Sequence, residues 1–419
     1  MIDTIVFCVY LAQIDINLIK FFLKRKIMID NYTGMLEYEF TTGDLKGSFD
    51  YRIRIAIKDK ICKAGKWESC PEFIEFEFSL SKFATGFNLT NCSIIEDAIR
   101  ISIFRRWFHL QTTVELPDCQ YWILRRLDVA YNIDCHSRQN AQLLIDCFKK
   151  LRYPRREESQ NEVKQYKTSV YYSGETTTFK IYMKYSEFKA HDLKRVTRFF
   201  RAAGMEKEKQ KQIIDEFTAI TEGILRFEIG FKRIKLKSMK CNSVADIFNF
   251  DWEEIMKTDY QKFQKGAVIG KVYKSADVFQ KIQDNYIVGQ GISSDAVFSV
   301  WNILSNFPEK AKKMNRMKKK RAQDVLKRLG IACISTSFEI DVPEEIMTGS
   351  MFFPFFKAQD CISNQITRNK IEALLPLPLN ENKNINRDTY ERNFPIMYRD
   401  YVDIGVFDGK NNEQIKKAA

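Results

Sequence analysis

The sequence predicts an α+β protein: an antiparallel sheet with helices packed on one face and an active site on the other, followed by a mainly helical C-terminal domain. Three observations lead there. Several segments alternate apolar and polar residues with period two, the signature of a half-buried strand. A few segments between them carry apolar residues at helical spacing. Beyond about residue 240 the helical pattern takes over.

The elements follow in chain order. In Tyr51–Ile57, Tyr51, Ile53, Ile55 and Ile57 point one way and Arg52 and Arg54 the other. Ile74, Phe76, Phe78 and Leu80 form one face of the next strand and leave Glu75 and Glu77 on the opposite face. Residues 93–108 read as a helix through Ile94, Ala98, Ile101, Phe104 and Phe108. A long strand runs over Trp122–Asp134, and a second amphipathic helix over 138–151. Residues 153–168 are polar and read as a loop. Thr168–Tyr172, a Ser173-Gly174 turn and Thr178–Tyr185 read as a hairpin, residues 205–222 as a charged helix, and Leu225–Phe231 as a further strand. Ser293 or Ser294 caps a helix. Pro308 is expected to open a long basic helix that ends near Leu329, with Gly330 after it. Three domains result: 1–238, strand-rich; 239–340, helical and basic; and 341–419, an irregular extension.

Composition limits the functions open to the chain. Its 419 residues are 45% hydrophobic and 13% aromatic, enough for real cores. The net charge of +13 suits a polyanion, with nucleic acid first and an anionic membrane surface second. The ten cysteines contain no CxxC pair, and the three histidines (His109, His136, His191) contain no HExxH or His-x-His pattern. A zinc ribbon, a thioredoxin-type pair and a zinc protease are thereby set aside, and buried reduced cysteines of a cytoplasmic protein are expected. Asp3 and Asp15 flank the apolar run near the start, which argues against a signal peptide. No apolar run is long enough to cross a membrane.

The chemistry-bearing residues gather on strand faces. Lys180, Tyr182 and Lys184 alternate with Phe179, Ile181 and Met183, so a phenol stands between two ammonium groups. Such flanking would lower the cost of forming phenolate beside a phosphodiester. Arg126, Asp128, Asn132 and Asp134 share one face of their strand, as do Arg226 and Glu228 of theirs. Asp128, Asp134 and Glu228, with Glu75 in addition, are hard oxygen donors suited to Mg²⁺ or Mn²⁺. Each of these carboxylates could instead serve Arg126, Arg226 or a lysine in an ion pair. Tyr185, three residues beyond Tyr182, reads as a packed aromatic or a second nucleophile. Between Pro308 and Gly330 stand ten Lys or Arg, Lys312, Lys313, Arg316, Lys319, Lys320 and Arg321 among them, against Glu309 and Asp324. That one-signed helix fits the phosphate backbone of DNA.

At these residues the chain resembles the filamentous-phage gene II/X replication initiators and similar proteins of rolling-circle plasmids. The resemblance is carried by RRLDVAYNID (125–134), TSVYYSGETTTFKIYMKYSE (168–187) and GILRFEIGFKR (223–233), with MIDTIVF and FIEFEFSLSKFATGFNL (73–89) before them. It implies a site-specific strand transferase that nicks one origin strand, leaves a 3′-OH for the host polymerase and later rejoins the displaced strand. Tyr182 would form the 5′-phosphotyrosyl link, with Lys184 neutralising developing charge. Asp128 and Glu228 would be the acidic positions, and Lys180, Arg126 and Arg226 would hold DNA. A host helicase is a further implied partner. Rejoining through a covalent link needs no ATP, in keeping with the lack of a GxxxxGK[ST] loop. A non-catalytic origin-binding or single-strand-binding replication protein is the alternative. A tyrosine recombinase fits poorly, because no histidine stands in a His-x-x-Arg pattern.

Overall fold

The computed structural model describes residues 1–336 apart from 15–23, 30–35, 42–44, 64–65, 151–156, 159–166, 203, 265–270 and 308–309. The expected extension at 341–419 and most of the expected loop at 153–168 lie outside the described residues. Strands β1 (Ile2–Tyr10), β4 (Arg54–Lys63), β5 (Lys66–Ser79), β6 (Ile123–Asp134), β7 (Glu157–Glu158), β8 (Ser169–Ser173), β9 (Thr177–Met183) and β10 (Ile224–Lys232) form one antiparallel sheet. Its order is β4-β5-β1-β6-β10-β9-β8-β7. Strands β2 (Lys24–Ile29) and β3 (Leu36–Thr41) pair as a separate hairpin.

One face of the sheet is the main core. Phe7 stacks between Trp122 and Phe76, with ring centroids 4.5 and 5.0 Å away. Helix α2 (Ile94–Thr112) lays Ile101, Phe104 and Phe108 on this face, and α3 (Arg138–Lys150) adds Ala141, Leu144, Ile145 and Phe148. Ser93 and Glu96 form a capping box that fixes where α2 begins. The same core takes in Cys241, Val244 and Ile247, then Trp252, Met256 and Tyr260 at α8 (Trp252–Gln264), so it extends past residue 238.

A second, smaller core lies beside the polar face. Helix α4 (Lys184–Glu187), a π-helical turn (Phe188–Asp192), α5 (Leu193–Ala202) and α6 (Lys207–Glu222) bury Phe188, Val196, Phe200, Ile213 and Phe217 against Phe49, Phe87 and Leu89. Between Phe87 and Leu89, Asn88 turns the other way, onto the sheet's polar face. Helix α1 (Leu80–Thr85) leads into this segment, and α7 (Arg233–Ser238) follows β10. A third core joins α9 (Ser275–Asn285), α10 (Ser294–Asn306) and α11 (Arg316–Arg328) to β12 (Ile331–Thr336), which pairs in parallel with β11 (Lys271–Lys274).

Three local expectations are corrected. Strand β9 stops at Met183, so Lys184 opens a helix and does not continue the strand face. The basic helix begins at Arg316, because the Asn315 side chain accepts from the Met317 and Lys318 amides and caps it; Lys310–Lys313 form a separate short turn. The parallel β11–β12 pair was not expected in the helical region. Seven described cysteines, Cys8, Cys92, Cys119, Cys135, Cys147, Cys241 and Cys333, are buried.

Candidate functional site

The polar face is built from cross-strand rows on β9, β10 and β6. Thr178, Gly230 and Asp128 make one row, and Lys180, Glu228 and Ala130 the next. Tyr182, Arg226 and Asn132 make the third. Strand β1 contributes Asp3 through an irregularity. The register against β6 shifts between Ile2 and Ile5, both of which face the main core, and this frees Asp3 to turn to the opposite face.

Glu228 is the hub of the arrangement. The Tyr182 hydroxyl donates to Glu228 Oε1. Arg226 Nε donates to the same oxygen at 3.0 Å, and Lys180 Nζ lies 3.4 Å from Oε2. Arg226 is fixed in turn by Asp3 at 2.7 Å, by Asn132 Oδ1 at 2.9 Å and by the Asn88 carbonyl at 3.1 Å. Burial alone would raise the Asp3 carboxyl, but Arg226, Asn88, Lys82 and Lys184 outweigh it and hold it well below the usual carboxylate range. Tyr182 behaves opposite to the expectation from its flanking lysines. Burial, and then the Glu228 charge, push its phenol well above the ordinary value, so it keeps its proton and offers it to Glu228.

Asp128 sits beside this hub, gripped by Arg126 through Nε at 2.8 Å and through Nη2. Burial raises its carboxyl to about 6, against the opposing pull of Arg126. Gly230 leaves room for it: a Cβ there would stand 2.6 Å from Asp128 Oδ1 and 2.4 Å from Thr178 Oγ1. Lys184 is fully buried, with Nζ 2.6 Å from both Asn88 Oδ1 and Glu187 Oε2. Its ammonium is 5.7 Å from the centre of the Tyr182 ring. Glu187 also meets Lys82 at 2.7 Å, which ties α1 to α4 beneath the site.

Asp128 and Glu228 are therefore brought together with Tyr182, while Asp134 and Glu75 are not. Asp134 is six residues along β6 from Asp128, roughly 20 Å at the rise of a strand, and accepts from the His136 amide at 2.7 Å. Glu75 lies on β5, beyond β1, and pairs with Lys58 at 2.7 Å. Among the described residues no group of three or more His, Cys, Asp or Glu is arranged to hold a metal ion. Asp128 and Glu228 are the two hard oxygen donors that this face brings together, Asp128 accepting from Arg126 and Glu228 from Tyr182, Arg226 and Lys180.

The model of a phage family, described as the N-terminal part of a replication-associated protein, matches residues 1–250. The chain belongs to this family. The match spans the whole eight-stranded sheet and every residue of the Glu228 hub. No curated protein and no solved structure matches the chain. Family membership makes it a phage-type replication protein, and the match does not reach the basic helix α11.

The remaining expected residues fall elsewhere. Tyr185 is on α4, its ring between the Arg138 guanidinium at 4.3 Å and the Lys189 ammonium at 4.4 Å, and Lys189 donates to its hydroxyl. Lys313, Arg316, Lys320 and Arg321 are exposed on or beside α11, Lys319 is half-buried, and the Lys312 side chain lies outside the described residues. Asp3, Asn88, Thr178, Gly230 and Glu187 were not anticipated. Asp3 carried a faint signal, as a lone acid in an apolar run; Asn88, in a loop, carried none. No helix among the described residues is long and apolar enough to cross a membrane.

Proposed function

We propose that this replication protein initiates rolling-circle DNA replication by nicking one origin strand through Tyr182. The observation that carries the reading is the hydrogen bond from the Tyr182 hydroxyl to Glu228, within a face that also presents Arg226, Lys180 and Arg126. A phenol that retains its proton needs a base at the moment of attack, and Glu228 is in place to take it. The Tyr182 oxygen attacks the scissile phosphorus, and its proton passes to Glu228. The bond from phosphorus to the 3′-oxygen breaks, and that oxygen takes a proton from solvent to become the 3′-OH. The strand's 5′-phosphate stays on Tyr182, and reversal of the step by a later 3′-OH rejoins the displaced strand. Arg226 and Lys180 stabilise the charge that develops on the phosphoryl oxygens.

Asp128 and Glu228 would hold Mg²⁺ or Mn²⁺, whose contribution is to polarise the phosphodiester. Lys184 acts as a positioning residue in this reading. It braces Asn88, which fixes Arg226, and its ammonium is spent on Glu187. DNA is the partner, held by the sheet face and by α11. The host polymerase extends the 3′-OH and a host helicase opens the duplex, both in the bacterial cytoplasm.

The test uses single-stranded oligonucleotides tiling the non-coding DNA of the replicon that encodes the protein, with Mg²⁺ or Mn²⁺. A covalent protein–DNA adduct is expected from the wild type and from Tyr185→Phe, and none from Tyr182→Phe or in EDTA. An adduct from Tyr182→Phe would remove Tyr182 from its role. Salt-dependent binding with no cleavage under either metal would establish the non-catalytic alternative.

A further inference from the structure

The loop between α9 and α10 shows its apolar side chains to solvent. Val288 is 91% exposed and Ile287 67%. The unit has an enclosed core of Val278, Ile282, Val297, Val300, Trp301 and Leu326, and although Phe279, Phe307 and Met317 are exposed too, Ile287 and Val288 are its most exposed large apolar side chains. These two are adjacent, β-branched and together at a loop tip.

The tip is held firmly. The Tyr286 hydroxyl donates to the Ile292 carbonyl and closes the base of the loop. Gly289 at φ 100° and Gly291 at φ 66° take conformations that other residues rarely adopt. Two arginines of α11 clasp the far side: Arg321 donates to the Gly291 carbonyl at 3.2 Å and Arg328 to Gln290 Oε1 at 2.5 Å. The apolar tip is thereby mounted on the basic helix, whose Arg316, Lys318, Lys320 and Lys327 are exposed as well.

We infer that Ile287 and Val288 form a wedge that enters the base stack of duplex DNA while α11 binds the flanking phosphates. Charge decides the partner. A strongly cationic helix beside a small, rigid, β-branched tip matches proteins that unstack a base step and kink the duplex. This goes beyond the strand-transfer reading: it assigns duplex distortion to a site outside the sheet, one that would deliver an opened strand to Tyr182.

The experiment uses the full chain and a short mixed-sequence duplex carrying a dye at each end, so that bending is read as energy transfer. The variant is Ile287→Ser/Val288→Ser, compared with Arg316→Ala/Lys320→Ala. Wild type is expected to bend the duplex. The tip variant should bind at least about tenfold more weakly, as the loss of two buried apolar side chains implies, and should no longer bend it. The charge variant should weaken binding and flatten its salt dependence. Adduct formation on single-stranded origin DNA should be unchanged in the tip variant, which separates failure of the wedge from failure of the Tyr182 reading. Unaltered bending by a folded tip variant would overturn the proposal. So would loss of anionic-vesicle binding, with duplex binding intact, because the tip would then serve a membrane surface.

Discussion

Gly230→Ala is the sharpest probe of the site. Gly230 does not lie in the left-handed region, so alanine can adopt its backbone conformation. The added methyl is the whole perturbation. It would stand 2.4 Å from Thr178 Oγ1 and 2.6 Å from Asp128 Oδ1, both well inside van der Waals contact. Thr178 can rotate, but Asp128 is pinned by two bonds from Arg126. Overpacking of this kind costs about 1–3 kcal/mol. Restricting the unfolded chain returns about 0.4–1 kcal/mol, leaving a net loss of roughly 1–2 kcal/mol. The assay is urea unfolding of Gly230→Ala, Thr178→Ala and the double variant. Removing Oγ1 opens one of the two collisions, so the double variant should be more stable than the sum of the single changes predicts, by at least about 0.5 kcal/mol. Adduct formation by Gly230→Ala should fall about a hundredfold, since a displacement near 1 Å in a reacting array has that effect. A Gly230→Ala protein with wild-type stability and rate would refute the packing described for this row.

Three other outcomes are expected. Glu228→Gln should fold and bind DNA but form the Tyr182 adduct about 10²–10⁴-fold more slowly, measured in single-turnover assays; a change within a few-fold would deny Glu228 its role as base. Asp128, raised from the usual 3.8 to about 6, binds its proton more tightly when folded. Its contribution to stability is full below about pH 4 and is lost by about pH 6, a swing of about 3 kcal/mol. Asp128→Asn should therefore gain on wild type across that window in urea unfolding, and a parallel pair of curves would argue against the shift. Asp3→Asn should cost about 1–3 kcal/mol at neutral pH, because it removes one of the two carboxylates that pair with the buried Arg226 and leaves Glu228 as the other. Asp3 is depressed, so the wild-type advantage should be present above about pH 4 and fade as the pH falls; an advantage that persists undiminished into acid would contradict the pairing.

Strands β4, β5, β6, β8, β9 and β10 were legible because period-two alternation reports a core face and a polar face directly, whereas β1, nearly continuous in apolar residues, and the two-residue β7 were not read as strands. The strand faces that carry Tyr182, Glu228 and Asp128 could be read for the same reason, while their cross-strand rows depend on register. What escaped depends on departures from that period. Lys184 continued the alternation on paper, but Met183 passes straight into a helix with no glycine or proline to mark the change. Asp3 shares the parity of Ile5 yet faces the other way, because a shifted register lies between them. Asn88 belongs to a loop, where spacing says nothing about direction. At the basic helix only Pro308 was read as a start; it lies outside the described residues, and the side-chain cap from Asn315, which was not read, sets where α11 begins. The carboxylates were grouped by face alone, which does not measure distance along a strand or across a sheet. Asp134 and Glu75 were lost for that reason.

The order of the sheet has a consequence for when the protein can act. Strand β10 is its last strand in the chain, yet it lies between β6 and β9. Until it is made, the hairpin of β8 and β9 has no strand to pair with on the side of the half built on β1, β5 and β6. Arg226 and Glu228 arrive on that strand, more than two hundred residues after Asp3. A chain emerging from the ribosome thus carries Tyr182 for some forty residues before the strand that equips it is made. On the proposed reading, truncated products ending before Arg226 would lack the residues that serve Tyr182, so strand-transfer competence would be tied to completion of the sheet.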